Sequence, residues 1–236
     1  MIQSDALPHC QSADSLLLVI DVQNSFMPGG ELPVAEGDTI VPLINQLATH
    51  FNHVAITQDW HPADHCSFAS NHDNRQNFET FQMPYGLQCL WPAHCIQGTR
   101  GAELHPDLQL PMASLILRKG WHQHLDSYSA FLEADGQTST GLAACLHARG
   151  IRSIFMVGLA TDFCVAYSAI DGRKAGFDVW VIEDACRAID INDSLIQARQ
   201  RMAEQGVNFI HAQQILTSPT LGGPLCGKLN ITNGQC

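Results

Sequence analysis

Continuous apolar runs recur along this chain, and the segments between them carry apolar residues at helical spacing. "SLLLVIDVQ", Ser15 to Gln23, is the first run; it reads as a strand buried on both faces, with Asp21 at its end. "DTIVPLINQLATHF" then places apolar residues at helix period from Ile40 to Phe51. "HVAITQD" is a second strand, ending at Asp59, and a long irregular insert rich in His, Asn, Gln and Pro follows to about Pro111. "SLILRKG" is a third strand, ending at Lys119, and "TGLAACLHARG" a helix closed by Gly150. "SIFMVGLA" and "CVAYSAIDGRKAG" form the next strand and helix. "DVWVIEDA" is a fifth strand, "SLIQARQRMAEQG" a helix stopped by Gly206, and "VNFIHA" a sixth strand.

This alternation predicts an α/β fold: a mostly parallel six-stranded sheet with helices on both faces. One domain is expected over residues 1–216, with a Gly/Pro-rich C-terminal tail over 217–236. The tail contains a stretch, Gly222 to Lys228, of the form GxxxxGK. Leu229 stands where a phosphate-binding loop needs Ser or Thr, and no strand leads in, so the match carries no weight.

In such sheets ligands bind beyond the carboxyl ends of the strands. Asp21, Asp59, Lys119 and Cys164 each fall at or just after such an end, so four strands direct unusual groups to one rim. Cys164 is placed at the start of a helix, where the helix dipole and unpaired N–H groups favour the thiolate. Singly, each of these residues is more often structural: a buried thiol, a solvated strand-end lysine, a turn-forming aspartate. Together they supply a base, a cation and a nucleophile.

Composition narrows the partners. The chain has 236 residues and a formal net charge of −11, from 23 acids against 12 Lys and Arg. Such a surface repels phosphate backbones and anionic lipid, which argues against nucleic acid and membrane and for a small molecule or a second copy, a homo-oligomer. The start of the chain lacks the charged and apolar regions of a secretory signal, and no apolar run reaches membrane length. Nine Cys without regular spacing point to reduced thiols in a cytoplasmic protein, which makes the triplets at Asn192 and Asn230 chance matches for glycosylation.

The segments "VIDVQNSFMPGGEL", "TQDWHPADHCSF", "WPAHCIQGT", "ILRKG", "SYSAF" and "VGLATDFCV" occur in this order. The set closely resembles the bacterial and yeast nicotinamidases, within the isochorismatase-like cysteine hydrolases, from about Leu16 to His211. The "SNHDNRQNFETFQ" part of the insert and the end of the chain after Leu216 fall outside the likeness. The resemblance implies a catalytic triad of Asp21, Lys119 and Cys164. It further implies a cis peptide at Leu159–Ala160 and an oxyanion hole from the N–H groups of Ala160 and Cys164.

Asp59 and His61 are two apart in "DWH" and so point the same way if the segment is extended; His94 follows in "WPAHC". One carboxylate and two imidazoles suit a divalent transition metal, though with 12 His in the chain the spacing alone is a weak signal. The resemblance implies these three as metal ligands, with His65 or Ser67 as candidates for a fourth. Zinc is expected first, iron or manganese next. It also implies Phe26, Trp91 and Tyr128 as walls for a flat ring. The expected function is hydrolysis of nicotinamide to nicotinate and ammonia through a cysteine thioester, in NAD salvage. The alternatives are a related cysteine amidohydrolase acting on another small amide or carbamoyl compound, or a non-catalytic binding protein on the same sheet. A redox-sensing Cys164 is a further alternative, without an evident resolving Cys beside it.

Overall fold

A computed structural model describes residues 10–217. The GxxxxGK-like stretch, the Asn230 triplet and nearly all of the Gly/Pro-rich tail lie outside the described residues. The elements, in chain order, are β1 Ser15–Ile20, α1 Val41–Ala48, β2 His53–Asp59, β3 Thr80–Met83, β4 Gly86–Cys89 and β5 Leu115–Lys119. Then come α2 Leu142–Ala148, β6 Ser153–Leu159, α3 Ala166–Lys174, β7 Asp178–Arg187, α4 Ser194–Glu204, β8 Asn208–Ile210 and α5 Ala212–Leu216.

Six strands form one sheet in the order β5-β2-β1-β6-β7-β8, and every pairing in it is parallel. All six residues of β1 are buried because helices cover both faces. Alternate residues serve the two cores. Leu17 and Val19 pack with Ile44 and Leu47 of α1 and Ile215 of α5. Leu16, Leu18 and Ile20 pack with Leu146 of α2, Ala169 of α3 and Met202 of α4. Each buried Leu, Ile or Val side chain contributes about 1.5–3 kcal/mol relative to exposure, which is why these strands are apolar throughout.

The chain reverses its direction of travel across the sheet between β1 and β6, with β2 and β5 on one side and β7 and β8 on the other. The crevice above this seam is the expected place for a ligand. At the seam, β6 comes so close to β1 that a Cβ on Gly158, at φ +117°, would collide with the backbone of Ile20. Only glycine meets both demands.

Three features differ from the sequence reading. The insert is not wholly irregular: β3 and β4 pair as an antiparallel hairpin, with Met83 opposite Gly86. Its strands, TFQM and GLQC, are only four residues long, too short for their alternation to stand out. The helix expected from Cys164 begins at Ala166; residues Thr161–Val165 form a wider π-type turn. A short extra helix, α5, follows β8 and closes the face held by α1.

Candidate active site

The parallel register places Asp59, the last residue of β2, directly beside Lys119, the last residue of β5. Their side chains meet: Lys119 Nζ lies 2.5 Å from Asp59 Oδ1. It also lies 2.8 Å from Asp21 Oδ2, 3.4 Å from Cys164 Sγ and 3.0 Å from the Ser127 carbonyl. An ammonium with no solvent exposure thus joins the ends of β1, β2 and β5 to the turn after β6. Asp21 takes a left-handed backbone conformation, φ 49°, which Asp tolerates better than most residues. The Thr57 hydroxyl fixes it, donating to Asp21 Oδ1 at 2.6 Å and accepting from the Asp21 N–H at 3.2 Å. Asp21 Oδ2 has no aligned hydrogen bond besides the ion pair, and one carboxylate oxygen each of Asp21 and Asp59 lies within 4.8 Å of Cys164 Sγ.

Two carboxylates and one ammonium share this buried space, and burial penalises each charge. Burial raises the Asp21 pKa above the usual carboxylate value, and Lys119 only partly opposes it. Burial also works against the Asp59 carboxylate, but Lys119, His61 and His94 outweigh it and hold its pKa down. Lys119 is held well above the ordinary lysine value, because Asp21 and Asp59 outweigh its desolvation. Cys164 differs from the sequence expectation. Burial, assisted by the two carboxylates, pushes the thiol well up, and Lys119 only partly counters this. That direction favours the protonated sulfur. A thiolate is favoured only when a neighbouring acid takes up the proton.

Beside this cluster, donor atoms of Asp59, His61 and His94 lie within 4.8 Å of one another, and all three residues are buried. His61 Nδ1 is 2.7 Å from the Gly120 carbonyl, and His94 Nδ1 is 2.8 Å from that of Pro92. A carbonyl can only accept, so each Nδ1 carries a proton and each Nε2 faces Asp59 Oδ2, at 3.6 and 3.9 Å. Burial disfavours a charged His61, but Asp59 outweighs it and raises its pKa, so that ring must give up its Nε2 proton to bind a metal. The Asp59 backbone is clamped by Gln23, whose amide oxygen accepts from its N–H at 2.8 Å and whose amide nitrogen donates to its carbonyl at 2.8 Å. This donor set fits a divalent transition metal. Burial lowers the His94 pKa to about 4, which keeps that ring neutral as a ligand must be. His65 and Ser67 are hydrogen-bonded to each other, His65 Nδ1 to Ser67 Oγ at 2.7 Å, and stand outside this trio.

A cavity opens onto Cys164 and the three-donor group. Phe26, Trp91 and Tyr128 line it, together with Asp59, His61, His94, Ala160 and Cys164. The Trp91 indole N–H donates to the Tyr128 hydroxyl at 2.8 Å, which gives both polar tips a partner. The Leu159–Ala160 peptide is cis. Leu32, Asp126, Ser127, Phe163 and Ile189 also line the cavity and were not singled out from sequence. Phe163 stands edge-on to Trp91, ring centroids 4.8 Å apart; its place between Asp162 and Cys164 was the available signal.

Comparison with known proteins agrees with this picture. An isochorismatase domain is matched over residues 15–214. The chain is 59% identical to a nicotinamidase of Acinetobacter baylyi over 206 residues, 87% of this chain and 96% of that protein. Its fold superposes with a TM-score of 0.86 on the nicotinamidase/pyrazinamidase of Acinetobacter baumanii, at 58% identity over 87% of this chain and 99% of that one. A pyrazinamidase of Pyrococcus horikoshii, solved in complex with zinc, superposes with a TM-score of 0.69 at 31% identity, over 84% and 99% of the two chains. In sequence and in fold, this chain belongs to the isochorismatase family.

Proposed function

We propose that this protein hydrolyses nicotinamide to nicotinate and ammonia, a step of NAD salvage, with Cys164 as nucleophile. One observation carries the reading: the Lys119 ammonium touches both Asp21 and the Cys164 sulfur, and that sulfur lines one cavity with the three donors Asp59, His61 and His94. The similarity to nicotinamidases supports the choice of substrate.

In this mechanism Asp21 removes the thiol proton. Both groups have raised pKa values, so the transfer is between partners shifted in the same direction. Lys119 stays charged throughout and stabilises the thiolate as it forms. The sulfur attacks the carboxamide carbon, and the backbone N–H groups of Ala160 and Cys164 receive the oxyanion. Asp21 returns its proton to the departing ammonia, leaving a thioester. Asp21 then takes a proton from water, which cleaves the thioester and frees nicotinate and the thiol.

Asp59, His61 and His94 would hold the metal, zinc before iron or manganese, and the zinc in a related pyrazinamidase supports that order. When bound, the metal supplies a Lewis acid for the pyridine nitrogen and so an orientation for the ring. Phe26, Trp91 and Tyr128 enclose the ring faces. No helix among the described residues is long and apolar enough to cross a membrane, and their seven cysteines are free of disulfides, which supports a cytoplasmic setting.

The test is ammonia release from nicotinamide by the purified protein and by Cys164→Ala. Turnover by the parent that falls to background in the variant is expected. A variant that retained the parent rate would end the proposal.

A further inference from the structure

The turn that carries Cys164 also carries Asp162, a buried acid with no part in the chemistry above. Its carboxylate points away from the reacting groups, into the connection between β7 and α4. Asp162 Oδ1 accepts from the Ile189 N–H at 3.1 Å. Asp162 Oδ2 accepts from the Asp190 N–H at 2.8 Å and from the Ser194 hydroxyl at 2.5 Å. The same Ser194 oxygen accepts from the Ile191 N–H at 2.9 Å. Asp162 is thus bound to three donors within six residues of one loop.

That loop needs holding. Asp190, Asn192 and Asp193 all have positive φ, at 55°, 52° and 62°. Three non-glycine residues in the left-handed region make a conformation that persists only when surrounding contacts enforce it. The loop also forms part of the site, because Ile189 lines the same cavity as Phe163 and Cys164. The Cys164 turn is anchored at both ends, by β6 before it and α3 after it. The loop runs between the end of β7 at Arg187 and the start of α4 at Ser194, and the Asp162 carboxylate ties its middle to that turn.

We infer that Asp162 is a positioning residue that fixes the Ile189 wall against the nucleophile turn, and thereby sets the width of the slot that receives the substrate ring. The inference rests on the nicotinamide reading for its substrate, but its geometry is independent of it. Asn at this position presents an N–H to at least one of the three donors, and loss of a charged hydrogen bond of this kind weakens the wall contact about tenfold or more.

The experiment compares Asp162→Asn, Ser194→Ala and Ser194→Thr with the parent. It measures steady-state hydrolysis of nicotinamide and of ring-methylated nicotinamides, alongside thermal melts. Asp162→Asn should raise KM for nicotinamide about tenfold with kcat changed by less than about threefold, and should reject the methylated rings less strongly. Ser194→Ala should move the same way by a smaller factor, and Ser194→Thr, which keeps the hydroxyl, should restore parent values. A purely structural role would lower the melting temperature and leave KM and ring discrimination alone; that result overturns the inference. If Asp162→Asn does not fold, the Ser194 pair decides, and equal defects in Ala and Thr overturn it.

A parent protein that releases no ammonia from nicotinamide would end the functional reading. Alkylation of Cys164 by iodoacetamide and by a bulkier maleimide then tests the wall directly. A relative gain for the bulkier reagent in Asp162→Asn upholds the inference, and an unchanged ratio overturns it.

Discussion

Lys119 is the residue on which the buried charges depend. It is one cation facing two carboxylates and a thiol, with no access to water. Removing one member of such a buried set leaves the others uncompensated, at a cost of about 3–5 kcal/mol. Lys119→Met should therefore abolish turnover and lower the melting temperature by about 10 °C. Asp21→Asn should behave differently. The folded-state pKa of Asp21 is raised, chiefly by burial, so its ionisation costs stability that begins to be lost above the unfolded pKa and is fully lost above the folded one. The variant removes the cost and should melt within a few degrees of the parent, while losing about 10²–10⁴-fold in kcat with its base gone. Thermal melts and ammonia assays on the two proteins separate these outcomes. The rim positions of Asp21, Asp59, Lys119 and Cys164 were legible in the sequence because each ends or follows an apolar run. The protonation of the sulfur was not, because it depends on burial and on carboxylates 143 and 105 positions upstream (164 − 21 and 164 − 59). Thr57, Gln23 and Asp162 were passed over for a similar reason: each acts on a partner 27 or more residues away.

At the scale of elements, the strands were readable where they are apolar runs of the parallel sheet and unreadable where they are short and lie within the insert. The hairpin of β3 and β4 belongs to the second kind. It nonetheless reaches the site, through Gln88 of β4. The Gln88 amide nitrogen lies 2.7 Å from Asp126 Oδ2 and 2.9 Å from the Tyr128 hydroxyl. Strand ends have a comparable influence. Gly120, just past β5, has φ +67°, its carbonyl orients the His61 ring, and a Cβ there would strike that ring. Gly120→Ala would push the His61 ring out of the orientation that carbonyl sets and should weaken metal binding by about 10–100-fold, the usual scale for disturbing a ligand's orienting partner. Competition for zinc against a chromophoric chelator reads this directly, and an unchanged affinity would remove the carbonyl from its assigned role.

Across the whole molecule, acid sensitivity should follow from His65 and His94. Burial lowers both His65 and His94 to about 4, against 6.5 in an unfolded chain. Between these values the unfolded state binds more protons, so stability rises with pH and is lost as pH falls from 6.5 toward 4. For the metal-free protein the slope should be on the order of 1 kcal/mol per pH unit for each histidine. Urea titrations across that range check it, and His94→Asn should flatten the curve. Stripping the metal should raise KM for nicotinamide more than it lowers kcat, since the metal's proposed task is to orient the ring. Isothermal binding of nicotinamide to the chelator-treated protein measures the first part.

The glycine at the β1–β6 seam carries a last consequence. The sulfur is supplied from one side of that line, and the acid, the amine and the metal donors from the other. Any side chain at position 158 would act as a wedge between the two halves of the sheet. Gly158→Ala would part reactant from catalyst while leaving each chemical group intact, an enzyme disarmed by spacing alone.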